Sequence, residues 1–236
     1  MSTLARFAVR TAVTVAGLFA LALGSTPSTP QTSMPQKIRI VALGDSTTAG
    51  TPAWKSPIEA PPRGRGDETS QYAYWLMQSH PEWEVLNRGV NGERSDQIAA
   101  RFDRDVIEAR PKAVVIIAGV NDVYQGRSVD DVTAELARMY ARAASAGIPI
   151  VAGSIIPYNT ATGDQNDRMH RINAWIREQS KPGSKTPVTF VDTRLAVASP
   201  GNQDRLVDSP DELHPSPRGY RLMADAIRTS LETILR

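Results

Sequence analysis

The feature that most constrains this chain is an alternation of two hydrophobic periods. Five short apolar runs rich in β-branched residues read as buried strands: Lys37–Leu43 (KIRIVAL), Trp83–Leu86, Ala113–Ala118 (AVVIIA), Ile148–Gly153 (IPIVAG) and Val188–Val191. Helical spacing of apolar residues fills Thr69–Ser79, Ser95–Ala109, Val129–Ala146 and Asp164–Gln179 between them, and Ser216–Leu235 after the last. At Gly147-Ile148-Pro149 a helix stop runs straight into a strand. Strands joined through helices pair in parallel, and a parallel sheet is covered on both faces. The expected class is therefore α/β, with one domain over residues 35–236 and no internal repeat.

One segment breaks the pattern. Thr51–Gly66 (TPAWKSPIEAPPRGRG) is dense in Pro and Gly and longer than the roughly 12 to 15 residues usual for a loop, so it reads as functional or mobile. Following the first strand, it should border any site at the sheet's C-terminal edge. A shorter polar loop, Tyr158–Gly163, follows the fourth strand.

Charge and composition close off other classes. The net charge of +2 comes wholly from Arg6 and Arg10; from Pro35 onward 25 basic residues face 25 acidic ones. A basic footprint for a nucleic-acid backbone is missing, so nucleic acid is not an expected partner. Residues 1–34 carry two arginines, an uncharged apolar run from Thr11 to Leu23, then small residues and prolines, the layout of an export signal with a short linker. Cleavage would follow Ala22 or the Gly24-Ser25 pair; an uncleaved anchor is the alternative. The expected location is secreted, periplasmic or cell-envelope, with no stable membrane partner beyond the signal. With no Cys there is no disulfide and no thiolate chemistry, and three scattered histidines make no zinc site; no metal or cofactor is expected.

Ligands of open α/β sheets sit beyond the carboxyl ends of the strands, where strand order reverses. Chemistry-capable residues gather at those ends: Gly44-Asp45-Ser46-Thr47-Thr48-Ala49-Gly50, Asn87-Arg88-Gly89-Val90-Asn91-Gly92, Gly119-Val120-Asn121-Asp122, and Asp211-Glu212-Leu213-His214 before the last helix. Acyl transfer needs a nucleophile, a base, a group orienting the base, and donors for the developing oxyanion. Ser46 can supply the hydroxyl, His214 the base and Asp211 the orienting carboxylate three residues earlier in a loop. The Ser46 and Gly92 N–H groups and the Asn121 carboxamide are candidate oxyanion donors, each worth roughly 2.7 to 4 kcal/mol of barrier.

These four blocks, GDSTTAG, NRGVNG, GVND and DELH in that order, resemble those of the SGNH or GDSL-type hydrolase superfamily, from about Lys37 through the last helix. The resemblance implies a flavodoxin-like three-layer α/β/α sandwich around a five-stranded parallel sheet, and cofactor-free hydrolysis of esters or thioesters. It assigns Ser46, Asp211 and His214 to a triad and Ser46, Gly92 and Asn121 to an oxyanion hole. Thr47 stands where the family name has Leu, which bears on the pocket lining.

The remaining histidines read differently. His80, before Pro81, reads as solvated, and His170 with Asp167 as a surface pair on one helix. Asp45, Asp122 and Asp192 read as capping or supporting residues, and Trp54, Tyr124 and Tyr158 as candidate pocket liners. There is no G-x-S-x-G elbow, and Gly183-Ser184-Lys185-Thr186 lacks the upstream Gly of a phosphate loop. The expected activity is a secreted serine esterase acting on short, acetyl-type groups of a small-molecule or glycan ester. Lysophospholipid or thioester hydrolysis, a non-catalytic glycan-binding module and a flavodoxin-like nucleotide binder are the alternatives.

Overall fold

The computed structural model describes residues 36–236, so the export-signal reading of residues 1–34 lies outside the described residues. The main sheet has five strands: β1 (Ile38–Gly44), β2 (Trp83–Gly89), β3 (Ala113–Ile117), β4 (Ile150–Gly153) and β5 (Thr189–Val191). All pair in parallel in the spatial order β2-β1-β3-β4-β5. From β1 the chain crosses to β2 on one side and then back to β3 on the other. The order thus reverses beside β1, and a crevice opens beyond its carboxyl end.

The side-chain alternation of a strand explains why the sandwich holds together. Val41, Leu43, Val114 and Ile116 point to one face and pack with Ile98, Leu136, Met139 and Ile172. Ile40, Ala42, Val115 and Ile117 point to the other, with Leu76, Met223, Ile227 and Leu231. The covering helices are α2 (Tyr72–Ser79), α3 (Ser95–Ala100), α5 (Val129–Ser145), α6 (Gly163–Glu178) and α8 (Pro217–Ile234). Each strand face buries apolar area worth about 25 cal/mol per Å², so register is fixed from both sides.

Caps set the helix starts. Ser128 and Thr162 each accept from the backbone N–H three residues on and form reciprocal capping boxes with Asp131 and Gln165. Ser216 caps α8, whose first residue is Pro217. Three short helices sit at strand ends: α1 (Ser46–Ala49), α4 (Val120–Tyr124) and α7 (Thr193–Val197).

Several elements differ from the sequence expectation: the helix expected over Thr69–Ser79 begins only at Tyr72, after a separate 3₁₀ turn over Glu68–Ser70. The helix expected over Ser95–Ala109 ends at Ala100 and resumes as a π turn over Asp103–Ile107. Ile98, Phe102 and Val106 are all buried, so the helix and the wider turn keep one apolar face on the core across the break. The strand expected over Trp83–Leu86 runs on to Gly89, because Asn87, Arg88 and Gly89 pair with Ala42, Leu43 and Gly44.

Residues 51–66 are ordered rather than loose. Trp54–Lys55 pairs with Arg65–Gly66 as a short antiparallel ribbon. The Ser56 hydroxyl donates to Gly89 O at 2.6 Å, and the Glu59 carboxylate accepts from the Ser56 and Asn91 amides. The segment thus borders the loop after β2 at the carboxyl edge.

Candidate active site

Ser46 is the first residue of α1, at the carboxyl end of β1, and is 4 % exposed. The Asp45 side chain caps α1 by accepting from the Thr47 amide at 2.9 Å, fixing the turn that presents the hydroxyl. That turn is packed tightly against β2: a Cβ on Gly89 would lie 2.0 Å from Ala49 N, so only glycine lets α1 settle there. Asn87 completes the support, donating to Ala49 O at 3.1 Å and to Gln71 Oε1 at 2.6 Å.

The loop before α8 delivers the imidazole to the same edge. His214 Nε2 lies 2.9 Å from Ser46 Oγ, and His214 Nδ1 lies 2.7 Å from Asp211 Oδ2. The other Asp211 oxygen accepts from the amides of Leu213 and His214 at 3.0 and 2.8 Å, so the carboxylate holds both the ring and the loop that carries it. Burial pushes the Asp211 carboxyl up, but the bonds from the His214 ring and the two amides outweigh it and leave it below its ordinary value. A carboxylate ionised at neutral pH next to Nδ1 favours the tautomer with its hydrogen there, leaving the Nε2 lone pair facing the hydroxyl. Asn159 braces the loop through its amide, which donates to Glu212 O at 2.7 Å.

The expected oxyanion donors come from three strand ends. The Gly92 N–H has no acceptor among the described residues; its φ of +79° suits glycine, and nothing lies within 4 Å of where a Cβ would sit. Asn121, on α4 beyond β3, gives one carboxamide hydrogen to Glu93 O at 2.9 Å, which leaves its second hydrogen available. Asp122 is fully buried and accepts from the Ser95 amide and hydroxyl, both at 2.8 Å, and from Arg127 at 3.0 Å. That network anchors α4 to α3.

A cavity of 190 Å³ opens onto Ser46, Asn121 and His214. Tyr158 forms a buried wall and Tyr124, 62 % exposed, stands at the mouth with Leu213; the two tyrosine rings meet edge to face at 6.2 Å. Trp54 is elsewhere: its ring is wedged between Gly50 and Gly64 and lines a separate depression with Pro57 and Pro62. An aromatic residue in a Pro-rich loop carries no local sign of which side it faces.

Asp45, read as a capping residue, caps α1 as expected. Burial pushes its carboxyl up to about 7, against the opposing pull of the Thr47 bonds; its Oδ2 has no partner among the described residues. His80 is not simply solvated: it bridges Glu82 at 2.7 Å and Glu232 at 3.0 Å and stacks on Trp83. His170 pairs not with Asp167 but with Asp204, at 2.7 Å. Asp192 caps α7 and pairs with Arg177. Among the described residues no three His, Cys, Asp or Glu side chains group as a metal site would need, and no helix is long and apolar enough to cross a membrane.

Residues 42–222 match the GDSL-like Lipase/Acylhydrolase family, and the chain belongs to that family of esterases and acylhydrolases. It is 26% identical over 175 residues to an acetylxylan esterase of Geobacillus stearothermophilus, a match covering 66% of this chain and 76% of the relative. Its fold matches a GDSL-like lipase of Bacteroides thetaiotaomicron VPI-5482, with a TM-score of 0.65 at 23% identity over 83% of this chain and 88% of the other. It also matches a catalytic mutant of an acetylxylan esterase from Geobacillus stearothermophilus, with a TM-score of 0.62 at 22% identity, covering 83% and 93% of the two chains.

Proposed function

We propose that this chain is an exported serine esterase that removes short, acetyl-type groups from a glycan or small-molecule alcohol. The observation that carries the reading is the continuous hydrogen-bonded chain Ser46 Oγ–His214 Nε2 and His214 Nδ1–Asp211 Oδ2, at 2.9 and 2.7 Å, opening on a small cavity.

His214 takes the Ser46 proton as Oγ attacks the ester carbonyl, and the tetrahedral oxyanion accepts from the Ser46 and Gly92 amides and the Asn121 carboxamide. As the carbonyl re-forms, the alcohol leaves with the proton from His214 Nε2. Water then gives a proton to His214 and attacks the acyl-Ser46 carbonyl; collapse returns that proton to Ser46 and releases the carboxylic acid. The Asp211 carboxylate stays ionised throughout and steadies the imidazolium.

Two observations support the short acyl group. The 190 Å³ cavity falls below the roughly 300 to 1,000 Å³ of drug-sized ligand sites, and the relative from Geobacillus stearothermophilus carries an acetylxylan esterase name. Turnover of p-nitrophenyl acetate by wild type and Ser46→Ala tests the mechanism. The variant is expected to lose on the order of a million-fold in kcat, and wild-type turnover by Ser46→Ala defeats the reading. Acetylated xylo-oligosaccharide, longer p-nitrophenyl esters, a lysophospholipid and an acyl thioester, run side by side, test the substrate class. Preference for the longer esters, the lysophospholipid or the thioester would reject the acetyl assignment.

A further inference from the structure

Arg101 is 8 % exposed and spends four of its five N–H donors on four different partners. Its Nη2 donates to Gly44 O at 2.9 Å, and its Nη1 to Arg88 O at 2.8 Å and Asp105 Oδ2 at 2.6 Å. Its Nε donates to Glu93 Oε2 at 2.6 Å. Gly44 precedes Asp45 and Ser46 at the end of β1. Arg88 lies at the end of β2, before the turn that holds Gly92. The Glu93 carbonyl accepts the Asn121 carboxamide at 2.9 Å. One guanidinium therefore ties the end of β1 before Ser46 to both sides of the turn that holds Gly92, and reaches Asn121 through Glu93, although Gly44 and Arg101 are 57 residues apart in sequence.

The backbone around Arg101 shows the same design. Arg101 sits where α3 stops, directly before the π turn Asp103–Ile107 that carries Asp105. Asp105 is buried and takes a second cation, Arg104, at 2.7 Å, so one carboxylate holds both guanidinium groups. A buried guanidinium with both carboxylate and carbonyl partners has little rotational freedom. Wide turns of this kind inside helices recur at functional sites.

We propose that Arg101 is a positioning residue that holds the oxyanion donors in register with the nucleophile, without touching substrate. The proposal rests on the esterase reading above. Lysine offers one point charge and cannot span Gly44 O, Arg88 O, Glu93 and Asp105 in the guanidinium plane. Misplacement of donors by a fraction of an ångström weakens transition-state binding more than substrate binding.

The test uses Arg101→Lys and Glu93→Gln in the full chain, with active sites counted by fluorophosphonate labelling before p-nitrophenyl acetate kinetics. The expected result for Arg101→Lys is a loss of about ten- to a hundredfold in kcat per labelled site, with KM within about twofold. Glu93→Gln keeps the shape and the backbone carbonyl but loses the charge-assisted bond; a loss of a few-fold in kcat is expected, again at constant KM. A purely structural arginine would lower the labelled fraction and the melting temperature, leaving turnover per labelled site intact. That pattern in either variant overturns the proposal, and should Arg101→Lys not fold, Glu93→Gln decides it. Wild-type protein inert to both fluorophosphonate and ester would overturn the esterase reading first, and the positioning role with it.

Discussion

The Ser46 hydroxyl and the His214 imidazole lie 2.9 Å apart although 168 residues separate them. Each is held by the first residue or two of its own loop: Asp45 caps the turn under Ser46, and Asp211 both bonds the His214 ring and receives its amide. The pair is therefore preorganised by local hydrogen bonds before any substrate arrives, which is what general-base activation of a hydroxyl requires.

Asp211→Asn separates orientation from shape. The amide keeps the volume but cannot hold the imidazole with a proton on Nδ1, so kcat for p-nitrophenyl acetate should fall by about 10⁴ while the melting temperature moves little. A loss below about tenfold would show that Asp211 does not orient the base.

Asn121→Ala removes the free carboxamide hydrogen and the bond to Glu93 O together. A loss of about a hundred- to a thousandfold in kcat with little change in KM is expected, read by steady-state kinetics on the folded variant.

Gly89→Ala probes the packing of α1 on β2. The added methyl would sit 2.0 Å from Ala49 N and 2.5 Å from Ala49 Cα, both backbone atoms, so α1 has to shift and carry Ser46 with it. Urea unfolding should show a loss of about 1 to 3 kcal/mol or more, and kcat should fall with it.

Asp45→Asn tests a buried acid. The folded-state pKa of about 7 stands above the ordinary carboxyl value, so between about pH 4 and pH 7 the folded chain holds a proton that the unfolded chain has lost. Stability from this site is greatest at low pH and declines as pH rises through that window. Asparagine keeps an oxygen to accept from the Thr47 amide and carries no charge. The variant should gain on the order of a few kcal/mol over wild type at pH 8 and little at pH 4, measured by urea unfolding at both values.

His80 has the same sign by a different route. Burial pulls its pKa down, but the carboxylates of Glu232 and Glu82 outweigh that and leave it raised. Its contribution is thus full below the ordinary histidine value and lost as pH rises through the folded-state value. His80→Gln should lower the melting temperature near pH 5.5 and match wild type near pH 9. Equal melting temperatures at both pH values would count against the bridge between the β2 turn and α8.

The sequence disclosed those parts of the molecule whose cause is local. Apolar runs of β-branched residues marked the strands, and polar residues clustered at their ends marked Ser46, Asn121 and His214. What escaped was made by distance. Arg101 gives no local signal of this role, since Gly44 belongs to one other stretch of chain and Arg88 and Glu93 to a second. Asn159, inside a loop read only as polar, proved to brace the histidine loop through its backbone. Trp54, a candidate pocket liner by sequence, packs instead between Gly50 and Gly64 within its own loop. The π turn left no local signal, because the fourfold spacing of Ile98, Phe102 and Val106 is what one face of an ordinary α-helix also shows.

The arrangement of β1 and α8 has a consequence for the chain as it is being made. The hydroxyl emerges with the first strand, whereas the imidazole appears only just before the final helix docks its buried Tyr220, Met223 and Ile227. On the esterase reading, a polypeptide that stops short of Asp211 carries Ser46 without its base, and the hydroxyl stays an ordinary alcohol.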